Sequence, residues 1–186
     1  SDVYKRQEIL LELRLIADVG LLGLPNAGKS TLISNITNSK SKIGNYAFTT
    51  LDPELGVMEN QMKKITIADL PGIIEGASQG LGLGTKFLKH AYRTKFLLHL
   101  VDGTQTTKDA LKSFDIIEKE LADFHLDFSH QKRWICITKT DLIEQESLSE
   151  LIREFQTKYS STAIYPISSI SGDGLDILSE ELFKQI

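Results

Sequence analysis

Residues 23–31 read GLPNAGKST and follow an almost wholly apolar run, ADVGLL, at residues 17–22. The spacing of Gly23, Gly28, Lys29 and Ser30 fits G-x-x-x-x-G-K-[ST], which cradles phosphate when a strand enters it and a helix leaves it. KSTLISNITN supplies the helical pattern on the exit side. Gly23 and Gly28 let the backbone approach an anion where a Cβ would clash. The segment Gly23, Leu24, Pro25, Asn26, Ala27, Gly28, Lys29, Ser30 and Thr31 is therefore expected to wrap phosphate oxygens through backbone N–H groups and the positive end of the helix. Lys29 would add a point charge to the β and γ phosphates, and the Ser30 hydroxyl a ligand for Mg²⁺. An ordinary glycine-rich strand-to-helix turn is the alternative.

Further apolar runs at residues 63–70, 95–102, 133–139 and 163–168 alternate with helical patterns over 85–94, 107–124, 146–160 and 175–186. Near-continuous apolar strands belong to a sheet covered on both faces. The alternation predicts an α/β fold of the P-loop type, a mostly parallel, doubly wound sheet of about six strands with helices on both faces. Ligands in such sheets bind beyond the carboxyl ends of the strands. Two long stretches, residues 39–54 and 71–85, lack a clear period and read as functional loops.

Composition narrows the function classes. A net charge of −4 argues against bulk nucleic-acid binding, and no apolar run is long enough to span a bilayer. The single cysteine, Cys136, excludes an internal disulfide and fits a reducing, cytoplasmic compartment; within WICIT it reads as a buried strand residue. The four histidines show no metal-ligand spacing. Residues 1–7, SDVYKRQ, have no apolar signal core and resemble the translation of a transposon end, so they are expected to be a non-native leader.

Downstream motifs extend the phosphate reading. In ADLPG, Asp69 closes an apolar strand where a carboxylate can hold Mg²⁺, and the Gly72 amide can reach the γ phosphate. Between the motifs, Phe48, Thr49 and Thr50 fall in an unpatterned stretch; Thr50, with Thr49 second, is the candidate to complete the metal shell, unless both simply start the next strand. TKTD follows the strand RWICI. Asp141 can accept two hydrogen bonds from the guanine edge, and the Lys139 stem can cover the base plane, with Thr138 and Leu142 beside them. An N-cap role for Asp141 is the plain alternative. In SSISGDG, Ser168, Ser169 and Ile170 are candidates to meet the base carbonyl through a backbone N–H, although the glycines there also suit a simple turn.

GLPNAGKST, NYAFTTLDPELGV (45–57), DLPGIIEGAS (69–78), GLGTKFLKHAYRT (82–94), TKTD and ISSISGDGL (167–175) together resemble a translational-type GTPase domain, specifically the Obg family of bacterial GTPases. The likeness covers about residues 10–186. It implies an Obg-type G domain over residues 8–186, without the glycine-rich N-terminal and variable C-terminal domains of such proteins. It also implies GTP and GDP as ligands and the large ribosomal subunit as partner. The base motif departs from the family at Thr138, where Asn is usual.

Ile73 stands where Ras-like enzymes place a water-orienting glutamine, so slow, Mg²⁺-dependent hydrolysis is expected, with Lys29 and the Gly72 amide assisting. In similar GTPases an Asn at the position of Asn26 helps bind K⁺; a loop-fitting Asn explains it as well. A nucleotide-binding module with negligible turnover, or a P-loop ATPase, is the alternative. A P-loop kinase finds no arginine-bearing lid in this sequence.

Overall fold

The computed structural model describes residues 15–37, 42–43, 54–70, 83–123, 127–128 and 131–186. Among the described residues the seven strands are β1 (Ala17–Leu22), β2 (Lys42–Ile43), β3 (Glu54–Glu59), β4 (Lys64–Asp69), β5 (Thr94–Asp102), β6 (Lys132–Thr138) and β7 (Ile164–Pro166). The five α-helices among them are α1 (Lys29–Ile36), α2 (Leu83–Tyr92), α3 (Thr107–Asp123), α4 (Gln145–Lys158) and α5 (Leu175–Gln185).

The strands form one sheet in the order β2-β3-β4-β1-β5-β6-β7. Strands β4, β1, β5, β6 and β7 run parallel, and β3 and β2 add an antiparallel edge. Each of the five apolar runs read from the sequence is a parallel strand. The edge is the addition: β2 lies within the stretch read as a loop, and β3 begins at its end. Helix α2 likewise starts at Leu83, inside the second stretch. Polar alternation explains the missed edge, because β3 carries the half-exposed pattern of a strand with one wet face.

Alternate strand residues feed opposite faces of the sheet. Val19, Leu21, Phe96, Leu98 and Leu100 pack with Leu32, Ile33 and Ile36 of α1 and Leu178 and Leu182 of α5. On the other face, Leu22, Leu97 and Ala68 meet Leu88 of α2 and Ile117 and Leu121 of α3. Val101, Ile135 and Ile137 join Phe114 of α3 and Leu148, Leu151 and Phe155 of α4. Phe155 is fully buried, so truncating it to alanine costs about 3–5 kcal/mol. Cys136 is buried in β6, and burial pushes its thiol up to about 12, which makes it an inert core residue.

With both faces covered, function is confined to the carboxyl ends of the parallel strands. The ends of β1, β4, β6 and β7 each lead into a motif read from the sequence.

Candidate nucleotide site

The turn after β1 is built for close approach. Gly28 caps α1 in the left-handed region at φ 92°, which only glycine adopts without strain. Asn26 is also left-handed, at φ 67°; Asn tolerates that geometry, which gives its residue type a structural reason. The Ala27 N–H donates to the Leu24 carbonyl at 3.1 Å, and Leu32 is the first helical residue to bond back, to the Gly28 carbonyl at 2.9 Å. The amides of Gly28, Lys29, Ser30 and Thr31 find no acceptor among the described residues. α1 has no acidic residue in its own first turn, so its positive end is not neutralised from within the helix.

Lys29 lies across this turn. Its ammonium donates to the Gly23 carbonyl at 3.0 Å and the Leu24 carbonyl at 3.4 Å. Burial lowers its pKa, opposed by the nearby Asp69 carboxylate. A buried ammonium held only by neutral carbonyls gains from a desolvated anion placed beside it.

Asp69 ends β4 in register with Leu21 of β1. Its Oδ2 accepts the Ser30 hydroxyl at 2.6 Å, while its Oδ1 is buried without a partner among the described residues. Burial raises the Asp69 pKa, Ser30 and Lys29 lower it, and Glu54 across the β3–β4 ladder raises it further. A hydroxyl beside an orphaned, partly desolvated carboxylate oxygen is a donor set of the all-oxygen kind that Mg²⁺ takes. The residues present therefore fit a hard divalent cation.

The other end of the candidate site forms from the turns after β6 and β7. Asp141 lies in a 3-10 turn over Thr140–Leu142, and α4 starts later, at Gln145, with Glu144 at its N-cap. Asp141 is therefore not the cap of that helix. Its Oδ1 instead accepts the Ser168 hydroxyl at 2.6 Å. Ser168 is fully buried, and its oxygen accepts the Ile170 and Ser171 amides at 3.2 and 3.0 Å, which turns its proton toward Asp141. The Ser169 amide remains unengaged among the described residues. Leu142 and Ile170 project at this rim, 69% and 79% exposed.

Thr138 is not an open-facing residue. It is buried, and its hydroxyl lies 2.9 Å from the Ala27 carbonyl and 3.1 Å from the Val101 carbonyl, bracing the phosphate turn. Lys139, left-handed at φ 60°, sends its ammonium to Asp102 Oδ2 at 2.5 Å. Asp102 was not singled out from the sequence; its position at the carboxyl end of β5, level with Thr138, was the available signal. Glu54 was also missed, because its nearness to Asp69 depends on strand pairing.

The site thus brings together Gly23 through Thr31, Asp69, Thr138, Lys139, Asp141, Leu142, Ser168, Ser169 and Ile170. Phe48, Thr49, Thr50, Gly72, Ile73 and the leader at residues 1–7 lie outside the described residues. Among the described residues no cluster of three or more His, Cys, Asp or Glu side chains could hold a metal.

A family profile described as 50S ribosome-binding GTPase matches residues 18–139. The chain belongs to this family. GTPase Obg of Desulfatibacillum aliphaticivorans is 44% identical over 98% of the chain and 54% of its own length. GTPase Obg of Lachnoclostridium phytofermentans is 45% identical over 90% of the chain and 40% of its own length. The chain thus spans about half the length of the curated relatives it matches. Among solved structures, a variant of Era from Aquifex aeolicus bound to GDP and AlF4− superposes with a TM-score of 0.70 at 26% identity, over 90% of this chain and 56% of that one. The Obg resemblance and the P-loop GTPase fold read from the sequence both hold. No helix among the described residues is long and apolar enough to cross a membrane.

Proposed function

We propose that this G domain is a guanine-nucleotide switch that binds GTP with Mg²⁺ and hydrolyses it slowly to GDP and phosphate. The observation that carries the proposal is the set of side chains along one end of the sheet: Lys29 and the acceptor-free amides after β1, the Ser30–Asp69 pair, and the Asp141–Ser168 pair. Phosphates, metal and base each find a chemically suited group, in the order a nucleoside triphosphate presents them. The names of the matched relatives, and the GDP held by Era, support the same reading.

In this mechanism Lys29 exchanges its carbonyl partners for phosphate oxygens, and the Gly28 to Thr31 amides complete the cradle. Ser30 and Asp69 would hold Mg²⁺, with Thr50 as a further ligand. The ion, when bound, neutralises charge on the phosphate oxygens. Asp141 accepts from the guanine N1 and N2 hydrogens, which adenine cannot match. The Gly72 amide is assigned to the γ phosphate, and hydrolysis by in-line attack of water is slow because Ile73 cannot orient that water. Asn26 is the candidate contact for K⁺.

The family description supports the large ribosomal subunit as the partner of the GTP form, and the single, buried, unpaired Cys136 supports a cytoplasmic setting. Calorimetric titration with GTP, GDP and ATP, with and without Mg²⁺, tests the central claim. Tight binding of both guanine nucleotides, weak ATP binding and a Mg²⁺ requirement for GTP are expected; preference for ATP would overturn it. Phosphate release separates the switch from a binding module with negligible turnover. Equal turnover in KCl and NaCl would remove the K⁺ assignment, and equal co-sedimentation with 50S subunits in GDP and a non-hydrolysable GTP analogue would remove the switch-dependent partner.

A further inference from the structure

We propose that Asp102 is a positioning residue for the purine plane, holding Lys139 in the one orientation that lets its stem cover the base. The proposal rests on the guanine-nucleotide reading above and adds to it a residue outside the nucleotide motifs.

Asp102 is fixed before it meets the lysine. Its Oδ1 accepts the Thr104 amide at 3.0 Å and the Thr104 hydroxyl at 2.7 Å, which leaves Oδ2 for the Lys139 ammonium at 2.5 Å. Burial would raise the Asp102 carboxyl, but the bonds from Lys139 and Thr104 hold it below its ordinary range. Both side chains are largely sheltered, 33% exposed for Lys139 and 17% for Asp102, so the pair is less screened than a typical surface ion pair.

The backbones of the two turns are latched as well. The Gly103 amide donates to the Thr138 carbonyl at 3.0 Å. A Cβ on Gly103 would meet the Ile143 side chain and would lie 2.8 Å from the Thr138 carbonyl, so only glycine permits this approach. The carboxylate is thereby presented to Lys139 by a turn that cannot drift from it.

Lysine is among the side chains that lose most rotamer freedom on ordering. A stem already pinned in the free protein does not incur that loss when a base arrives. Because the ammonium is held at its far end by Asp102, the methylenes are what remain to cover a planar base. Asp102 thus acts on stacking, which every purine shares. Asp141 acts on the edge, which distinguishes guanine.

The test is a double-mutant cycle on the intact chain, using Asp102→Asn and Lys139→Ala, read as affinities for GDP and for inosine diphosphate. The asparagine is isosteric and can keep an oxygen for Thr104, so the change removes the ion pair alone. Asp102→Asn is expected to weaken both nucleotides by about threefold to tenfold while leaving the ratio of the two affinities unchanged. In the Lys139→Ala background the same change should have no further effect. Equal losses in both backgrounds, an altered guanine-to-inosine ratio, or unchanged affinities would each overturn the proposal. Should Asp102→Asn not accumulate as folded protein, Asp102→Ser enters the same cycle with the same expectations. Failure of the unaltered chain to bind GDP would instead overturn the guanine reading, so the two failures are distinguishable.

Discussion

The Thr138 hydroxyl lies 2.9 Å from the carbonyl of Ala27, joining the turn after β6 to the glycine-rich turn after β1. The hydroxyl has one proton, and the Val101 carbonyl at 3.1 Å competes for it, so three strand ends share this contact. Thr138 therefore coordinates the two halves of the site.

Thr138→Val keeps the shape and removes the donor, leaving the Ala27 carbonyl without this partner. The expected loss is about 1–3 kcal/mol of stability, the usual cost of stranding a buried polar group. At about 2–4 °C per kcal/mol for a domain of this size, thermal melting reads it directly. GDP affinity should fall in parallel, since the phosphate turn loses its brace. Thr138→Asn supplies another donor and should retain most of both. A valine variant with unchanged melting and GDP affinity would show that the brace contributes nothing.

Asp69 is a cost to the protein when no cation is bound. Burial raises its pKa, and Glu54 adds to the rise. A carboxyl with a raised folded-state pKa contributes stability that is present below its ordinary value of 3.8 and is lost as pH rises through the folded value. At neutral pH Asp69→Asn should therefore stabilise the protein in EDTA, by on the order of 1 kcal/mol, because its amide oxygen can still accept from Ser30. The same variant should lose the added stabilisation that Mg²⁺ with GTP confers. Melting curves in EDTA and in Mg²⁺–GTP check both signs; a variant that melts lower than the parent in EDTA would contradict the argument.

The parallel strands were legible because each centres on a short apolar run bounded by turn residues, and burial of the inner strands on both faces demands that composition. The phosphate turn was legible because its glycines, lysine and serine are consecutive in the chain. Pairings across the sheet were not. Nothing local in VDGT identifies Asp102 as the partner of Lys139, and nothing in DPELG sets Glu54 opposite Asp69, since both relationships arise from strand order and register. Thr138 stands out in the sequence only as a departure from the usual Asn, with no sign that its hydroxyl is turned toward Ala27.

His99 introduces a pH dependence away from the nucleotide. Its ring is buried, stacks on Phe114 with centroids 4.0 Å apart, and has Nδ1 3.3 Å from Glu118, which also pairs with Arg133 at 2.6 Å. Burial lowers its pKa below 6.5, with Arg133 and Lys29 acting in the same direction and Glu118 against. A lowered folded-state value means that the unfolded chain takes up the proton first, so stability present above 6.5 is lost as pH falls below it. Glu118, also lowered, contributes a separate loss only within the carboxylate range. Urea midpoints measured from neutral to mildly acidic pH should decline in the parent and decline less steeply in His99→Gln. Parallel profiles would show that His99 does not set the slope.

Ser168 provides the sharpest division between affinity and base choice. It is fully buried, accepts two amides and donates its hydroxyl to Asp141, so it fixes the carboxylate proposed to read the guanine edge. Ser168→Ala removes that restraint and leaves two amides without their acceptor, which places the loss in the range of about 1–3 kcal/mol. Unlike Asp102→Asn, it should act on the edge: GDP affinity should fall by about tenfold, and the preference for GDP over inosine diphosphate should narrow. Asp141→Asn should go further and favour xanthine nucleotides, because the new amide donates where the carboxylate accepted. Titrating GDP, inosine diphosphate and xanthosine diphosphate against both variants separates a carboxylate that has lost its orientation from one that has lost its charge. An Asp141→Asn variant with the parent's GDP affinity would mean that this aspartate does not read the base.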